Sequence, residues 1–301
     1  MVRSLLTLSV CLLAIWASVP VQGQGGRIYT TSFPATENPL SEGGNWRNGQ
    51  RDGIDWKDFR TVPGFAYGTQ DGSPPPYDDS TAVVTGTWGP DQTVEMKVKT
   101  VNQQTGGVNQ EVEVRLRTTI NPRSLTGYEI LWRVNHDGSQ YHQIMQWLGP
   151  LGTDSCNWGC AFTPVPGSKD MRSGDGNPGV YDGDTLGASI IGNRIRTWII
   201  HNGVKQILQD VHDTSGPGGG ARFTSGAPGM GTWLRGPGST IADFGVTSFT
   251  ATDGGVLPPT PGAPANVRIM RAALGIGGVP LINSAADALA ILLPTVASYT
   301  H

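Results

Sequence analysis

The chain has 301 residues, of which 43 are glycine, and charged residues make up only 15% of it. The formal net charge of −3 gives no case for nucleic acid or an anionic membrane as a partner. Polarity comes from Thr, Ser, Asn, Gln and Gly, and a turn-dense chain of that kind suits an extracellular β-sandwich.

The first residues read as a secretory signal. Arg3 is the positive n-region, Leu5 to Trp16 the apolar h-region, and Val21-Gln22-Gly23 a small-residue cleavage site. The apolar run is too short for a membrane span and carries Thr7 and Ser9. Val10 before Cys11 is too large for a lipoprotein box. A signal over 1–23 would leave residues 24–301 exported, a length that fits one all-β core.

In chain order, Gly25 to Arg60 is loop-rich, with Trp46 and Trp56 as anchors and a first strand over Arg27 to Ser32. Pro74-Pro75-Pro76 marks a loop. Ala82 to Thr87 is a short strand. Gln92 to Val101 alternates Val94, Met96 and Val98 against Glu95, Lys97 and Lys99, the pattern of a half-buried strand. Gln110 to Ile120 repeats it, with Val112, Val114 and Leu116 against Glu113, Arg115 and Arg117. Tyr128 to Leu148 reads as a hairpin turning at Asp137-Gly138. A two-residue turn there sets Arg133 opposite His142 and Glu129 opposite Gln146. One face would then hold Tyr128, Ile130, Trp132, Val134, Tyr141, Met145 and Trp147. The other would hold Glu129, Leu131, Arg133, His142, Ile144 and Gln146.

Gly149 to Asp184 is a long insertion rich in Gly, Pro and Asp. It contains Cys156 and Cys160, which an oxidising compartment would join in a disulfide closing a short loop. A zinc site is the rival, without a clear His partner. Strands then run over Thr185 to Ile191, Arg194 to His201 and Val204 to Val211. Gly192-Asn193 and Asn202-Gly203 turn between them, and glycine-rich turns lead on to Gly231. Ile241 to Ala251 is the last strand. Residues 253–264 form a Pro/Gly linker. The tail, 265–301, opens like a fibronectin type III strand, is too short for such a module, and carries a helical stretch over Ser284 to Leu293.

The order of parts from Tyr181 to Gly231 resembles the last half of concanavalin A-like (LamG-like) jelly-roll domains. The matching residues are Gly183, Asp184, Leu186, Gly192, Ile195, Trp198, Asn202, Gly203, Asp210 and Ser225 to Gly231. The resemblance spans Phe33 to Thr250. It implies an all-β fold, an antiparallel two-sheet sandwich over 24–252, and it says little about function, because the fold hosts lectins, hydrolases, lyases and adhesive modules.

Within that fold, a glycan is expected on a concave sheet face. The polar hairpin face, Glu129, Arg133, His142 and Gln146, is the first candidate, with Glu113, Arg115 and Arg117 as neighbours. Arg133 offers a fork for a carboxylate and His142 a proton donor or acceptor near neutral pH. The plain alternative is a solvated face whose charges pair across strands. Trp158, held between the cysteines, is a second candidate as a stacking platform for a sugar ring, or else covers a core edge. Asp175, Asn177, Asp182 and Asp184 crowd one loop. Asp182 and Asp184 could serve Ca2+, although Asp-Gly pairs are also turn chemistry. The E-x-D-x-x-E strand common among the fold's hydrolases is absent, and Tyr141-His142-Gln143-Ile144 has the residue types of its lyases in the wrong order. No other cofactor motif occurs. Three readings follow. The first is a secreted, non-catalytic domain that binds a glycan or surface partner. The second is a polysaccharide lyase or glycoside hydrolase using Arg133, His142 or Glu129 as catalytic groups. The third is a structural or adhesive domain.

Overall fold

The computed structural model describes residues 26–49, 57–71, 79–104, 108–122, 124–134, 138–149 and 162–254. By its contacts the chain divides after Pro258, and all described residues belong to the first unit. The signal, Trp56, the Cys156/Cys160 pair, Trp158, most of the linker and the tail lie outside the described residues.

Two antiparallel sheets pack face to face as a concanavalin A-like jelly roll. The first runs β14 (Val204–His212), β13 (Arg194–His201), β12 (Thr185–Ile191), β6 (Gln92–Thr100), β16 (Phe244–Thr252), β4 (Phe65–Gly68) and β3 (Phe59–Val62), with β1 (Ile28–Thr31) also on β16. The second runs β10 (Phe162–Pro164), β9 (Tyr141–Leu148), β8 (Ser124–Arg133), β7 (Asn109–Asn121), β15 (Ala227–Arg235), β5 (Ser80–Val84) and β2 (Trp46–Asn48), with β11 (Met171–Arg172) also on β9. No helix among the described residues is long and apolar enough to cross a membrane.

Period-2 alternation drives the packing. Val94, Met96 and Val98 of β6 meet Val112, Val114 and Leu116 of β7 and Ile130 and Trp132 of β8 in one core, all essentially fully buried. Thr185–Ile191 and Arg194–His201 are strands over the expected residues, turning tightly through Gly192.

Two differences from the sequence reading shape the site, besides the short strands β10 and β11 inside the insertion read as strandless and the last strand starting at Phe244 instead of Ile241. The stretch ending at Gly231, read as turns, is β15, in the middle of the second sheet. Its glycines serve close packing. A Cβ on Gly229 would lie 2.2 Å from the Ala82 carbonyl oxygen, and one on Gly231 would lie 2.0 Å from Glu113 Oε2.

The second difference is the hairpin register. Trp132 pairs with His142, Ile130 with Ile144 and Tyr128 with Gln146, one residue away from the expected pairing. The strands end at Arg133 and Tyr141, so their connection is longer than a two-residue turn. A slip of one residue moves every side chain of one strand to the opposite face. Strand β8 keeps its expected faces and β9 is inverted. His142, Ile144 and Gln146 point into the sandwich, while Tyr141, Met145 and Trp147 join Glu129 on the outer face.

Candidate functional site

The outer face of the second sheet forms a groove of about 610 Å³, a volume typical of small-ligand sites. Strand pairing fixes its layout. Across β7 and β8, Glu111 faces Arg133, Glu113 faces Leu131, and Arg115 faces Glu129. On one side, β15 sets Trp233 beside Glu111 and the bare Gly231 beside Glu113. On the other, β9 sets Gln143 beside Leu131 and Met145 beside Glu129. Arg172 of β11 pairs with Tyr141, its guanidinium 4.8 Å from the ring centre. Phe162 lies tilted against Trp147, their ring centres 4.6 Å apart. Trp233, Tyr141 and Phe162 are partly exposed and form walls; the carboxylates form the floor.

The floor is organised by Arg115, which is fully buried. Its Nη2 lies 2.5 Å from Glu113 Oε2, 3.1 Å from Thr81 Oγ1 and 3.7 Å from Asp79 Oδ2, and its Nη1 donates to Glu129. Trp147 Nε1 also donates to Glu129. Such a set is held together by mutual charge in a region stripped of water, where removing one partner is expensive. Glu111 accepts the Tyr141 hydroxyl. Burial, then the nearby Glu129 charge, push its pKa well above the ordinary carboxylate value, against the opposing pull of Arg133 and Arg115.

His142 is not in this groove. It is fully buried between the sheets, with its ring stacked 4.6 Å from Trp132. Its Nδ1–H donates to the Leu131 carbonyl (3.0 Å), which leaves Nε2 to accept the Thr197 hydroxyl (2.8 Å). Gln209 N–H in turn donates to Thr197 Oγ1. Burial lowers the His142 pKa to about 4, so it is a neutral tie between the two sheets. Gln146 is also internal, bonded to Ser215 Oγ at 3.1 Å. Arg133 does lie on the outer face, but its fork is turned aside: Nη1 donates to Ser139 O and Nη2 to Val108 O. Arg117 leaves the face at a bulge where its φ is +47°, and its guanidinium binds the carbonyls of Pro90, Phe223 and Gly192. Of the expected cluster, Glu129, Glu113 and Arg115 come together; the Arg133/His142 pair does not form.

Asp182 and Asp184 are engaged in the turn before β12. Asp182 accepts Thr100 N–H at 2.9 Å; Asp184 accepts Tyr181 N–H at 2.8 Å and His201 Nδ1–H at 2.7 Å. Asp175 accepts Arg172 N–H, and the Asn177 amide donates to Met171 O. These four are not gathered as a cation cage. Among the described residues, the acidic trio with ligand atoms within 4.8 Å of one another is Asp79, Glu113 and Glu129. Arg115 lies against all three, so a metal ion there would have to displace its guanidinium.

Sequence reasoning missed Glu111, Asp79 and Trp233. Glu111 continues the alternation of Glu113 and Arg115, which was a usable signal. Trp233 was hidden behind a glycine run read as turns.

No family model matches the sequence, and no curated protein matches it. Several solved structures are similar in fold. One is the carbohydrate binding module CBM66 from Bacillus subtilis, at 13% identity over 71% of this chain and 94% of that one, with a TM-score of 0.41. The carbohydrate recognition domain of Emp46p in its metal-free form matches at 9% identity over 76% and 97%, TM-score 0.46. The VIP36 exoplasmic/lumenal domain in a Ca2+/Man-bound form matches at 11% identity over 74% and 91%, TM-score 0.46. At such identities and TM-scores, none of them informs the site of this chain.

Proposed function

We propose that this is an exported protein that binds a carbohydrate chain along the outer groove of the second sheet. One observation carries the reading: a groove of about 610 Å³ with partly exposed aromatic walls over a floor of buried, organised polar groups. Aromatic faces accept the apolar faces of sugar rings, and convergent polar groups such as Asn109, Gln143 and Glu111 fix their hydroxyls. Trp158 is proposed as an additional platform, held by a Cys156–Cys160 disulfide. A glycan array on the wild type and on Trp233→Ala tests the reading. The expected result is a small set of bound glycans whose signal falls in the variant. No bound glycan, or signals indifferent to Trp233, would sink it.

A second reading, glycoside hydrolysis, is favoured by one feature. Burial and the nearby Glu129 charge raise the Glu111 pKa, while Glu129 accepts hydrogen bonds from Arg115 and Trp147. Two neighbouring carboxyl groups in different environments are what an acid and its charged partner need. Reducing-end release from the bound glycan, lost in Glu111→Gln with binding retained, would establish it. Binding without turnover would leave the groove as a recognition site.

A further inference from the structure

We infer, on the carbohydrate-binding reading above, that the groove takes an acidic sugar chain and that Arg235 holds the carboxylate or sulfate of one of its rings. The ground is the state of that arginine. Arg115 is engaged by the acids of the floor, Arg133 donates to two backbone carbonyls, and Arg172 is paired with Asp170 and lies over Tyr141. Arg235 is different. It lines the groove from β15, and among the described residues nothing engages its guanidinium. Its Nη1 is buried without a hydrogen-bond partner, although the side chain as a whole is partly exposed. A buried donor left unpaired costs free energy, and a guanidinium that lines a groove recovers it from a ligand oxygen.

The strand ladder gives the ligand its layout. Outward residues of β15 and β7 pair as Gly231 with Glu113, Trp233 with Glu111 and Arg235 with Asn109. Trp233 and Arg235 are two residues apart, so they stand side by side on one face, about 7 Å from each other. A ring laid against Trp233 brings its own substituent, or that of the next ring, to the Arg235 fork. The planar fork matches a carboxylate or sulfate in a bidentate pair, and it binds such a group more strongly than a neutral hydroxyl. The acids gathered on Arg115 lie towards the other end. Glu113 is four residues back along the ladder, about 13 Å away, and shares Arg115 with Glu129 and Asp79. Glu111, between them, accepts the Tyr141 hydroxyl, and burial disfavours its charged form. The acidic floor and the anion site thus occupy different steps of one groove.

Titration calorimetry of the full chain tests the inference. The probes are an oligogalacturonate and its fully methyl-esterified form, a sulfated galactan oligomer and its desulfated form, and a polyglutamate peptide. At least one acidic chain is expected to bind about tenfold more tightly than its neutral counterpart. Arg235→Ala should remove that preference without changing the affinity for the neutral chain, and Arg235→Lys should restore only part of it. Arg235→Gln takes the place of the alanine variant if the latter lowers the melting temperature. An Arg235-dependent preference confined to the oligogalacturonate names a carboxylate as the anion, and one confined to the sulfated galactan names a sulfate ester. Equal or tighter binding of the neutral chains, or an acid preference that survives in Arg235→Ala, would overturn the inference while leaving the groove as a carbohydrate site. Equal binding of the peptide would place recognition on charge alone and overturn the acidic-sugar assignment. If no sugar chain binds, or if binding is unchanged in Trp233→Ala, the carbohydrate reading beneath it fails too.

Discussion

On the outward face of the first sheet, Arg194 and Arg196 meet Asp210 with side chains 50%, 45% and 32% exposed. On the outward face of the second, Arg115 meets Glu113 and Glu129 with essentially no exposure. Both faces come from strands with the same alternation of apolar and charged residues. The difference is in what covers them. Lys97 of β6 projects into solvent, whereas the charges of β7 lie under Trp147, Tyr141 and Trp233. A charge pair in water contributes little, and a desolvated one is costly to break.

The largest expected effect follows from that contrast. Arg115→Ala strands Asp79, Glu113 and Glu129 together without their shared cation, and should cost about 3–5 kcal/mol in urea unfolding. Replacing Arg115 by Met together with Asp79→Asn, Glu113→Gln and Glu129→Gln should recover much of this, because all four members of the charge cluster are then neutral. A cost for Arg115→Ala no larger than that of an exposed pair would mean that water reaches the floor, and the two faces would then be alike.

His142 sharpens the comparison from the inner side of the same sheet. Removing its ring opens a cavity and orphans the Thr197 hydroxyl, so His142→Ala should cost about 3 kcal/mol. Its pH signature has a definite sign. The unfolded ring takes a proton near 6.5 and the folded one at about 4. As pH falls through that window the unfolded state binds more protons, and stability falls, by up to about 3 kcal/mol. The slope should be missing in His142→Gln. Glu111 acts in the opposite sense. Its folded pKa is raised, so its contribution is present in acid and is lost as pH climbs above the ordinary carboxylate value. Glu111→Gln should flatten that limb. Acid and alkaline limbs of a stability–pH curve, compared between the two variants, separate the groups.

The fold was legible because alternation and hairpin turns are local signals: Thr185–Ile191 and Arg194–His201 were readable from Gly192 and Asn202-Gly203 alone. The site was only half legible. β7 and β8 announced Glu113, Arg115 and Glu129 as outward residues, but alternation does not say whether an outward face is wet. The place of His142 turned on one residue of register, set by a connection whose length the Asp137-Gly138 signal misjudged. Trp233 was unreadable for another reason. Glycine in a sequence looks like a turn, and here Gly229 and Gly231 are flat strand positions where Ala82 and Glu113 leave no room for a side chain.

Binding should respond on the second face only. Trp233 is a partly exposed wall of the groove, so Trp233→Ala should weaken a recognised glycan about tenfold, near 1.4 kcal/mol, with little change in melting temperature. The matching exposed-edge control on the first sheet is Ile207→Ala, which should leave the same binding curve in place. If both variants weaken binding equally, the ligand spans the first sheet instead.

The smallest effect is expected at Arg194. Its fork meets Asp210 at 2.7 and 2.6 Å, which is good geometry. Yet the pair stands in water, and Arg196 Nε is already 3.2 Å from the same carboxylate. Deleting Arg194 therefore leaves Asp210 solvated and still partnered, while salt screens whatever attraction was lost. Arg194→Ala should leave the melting temperature unchanged within error at high salt and barely lower it at low salt. A drop comparable to that of Arg115→Ala would show that something covers the outer face of the first sheet in solution. The contrast between the faces would then belong to the isolated chain and not to the protein in its assembly.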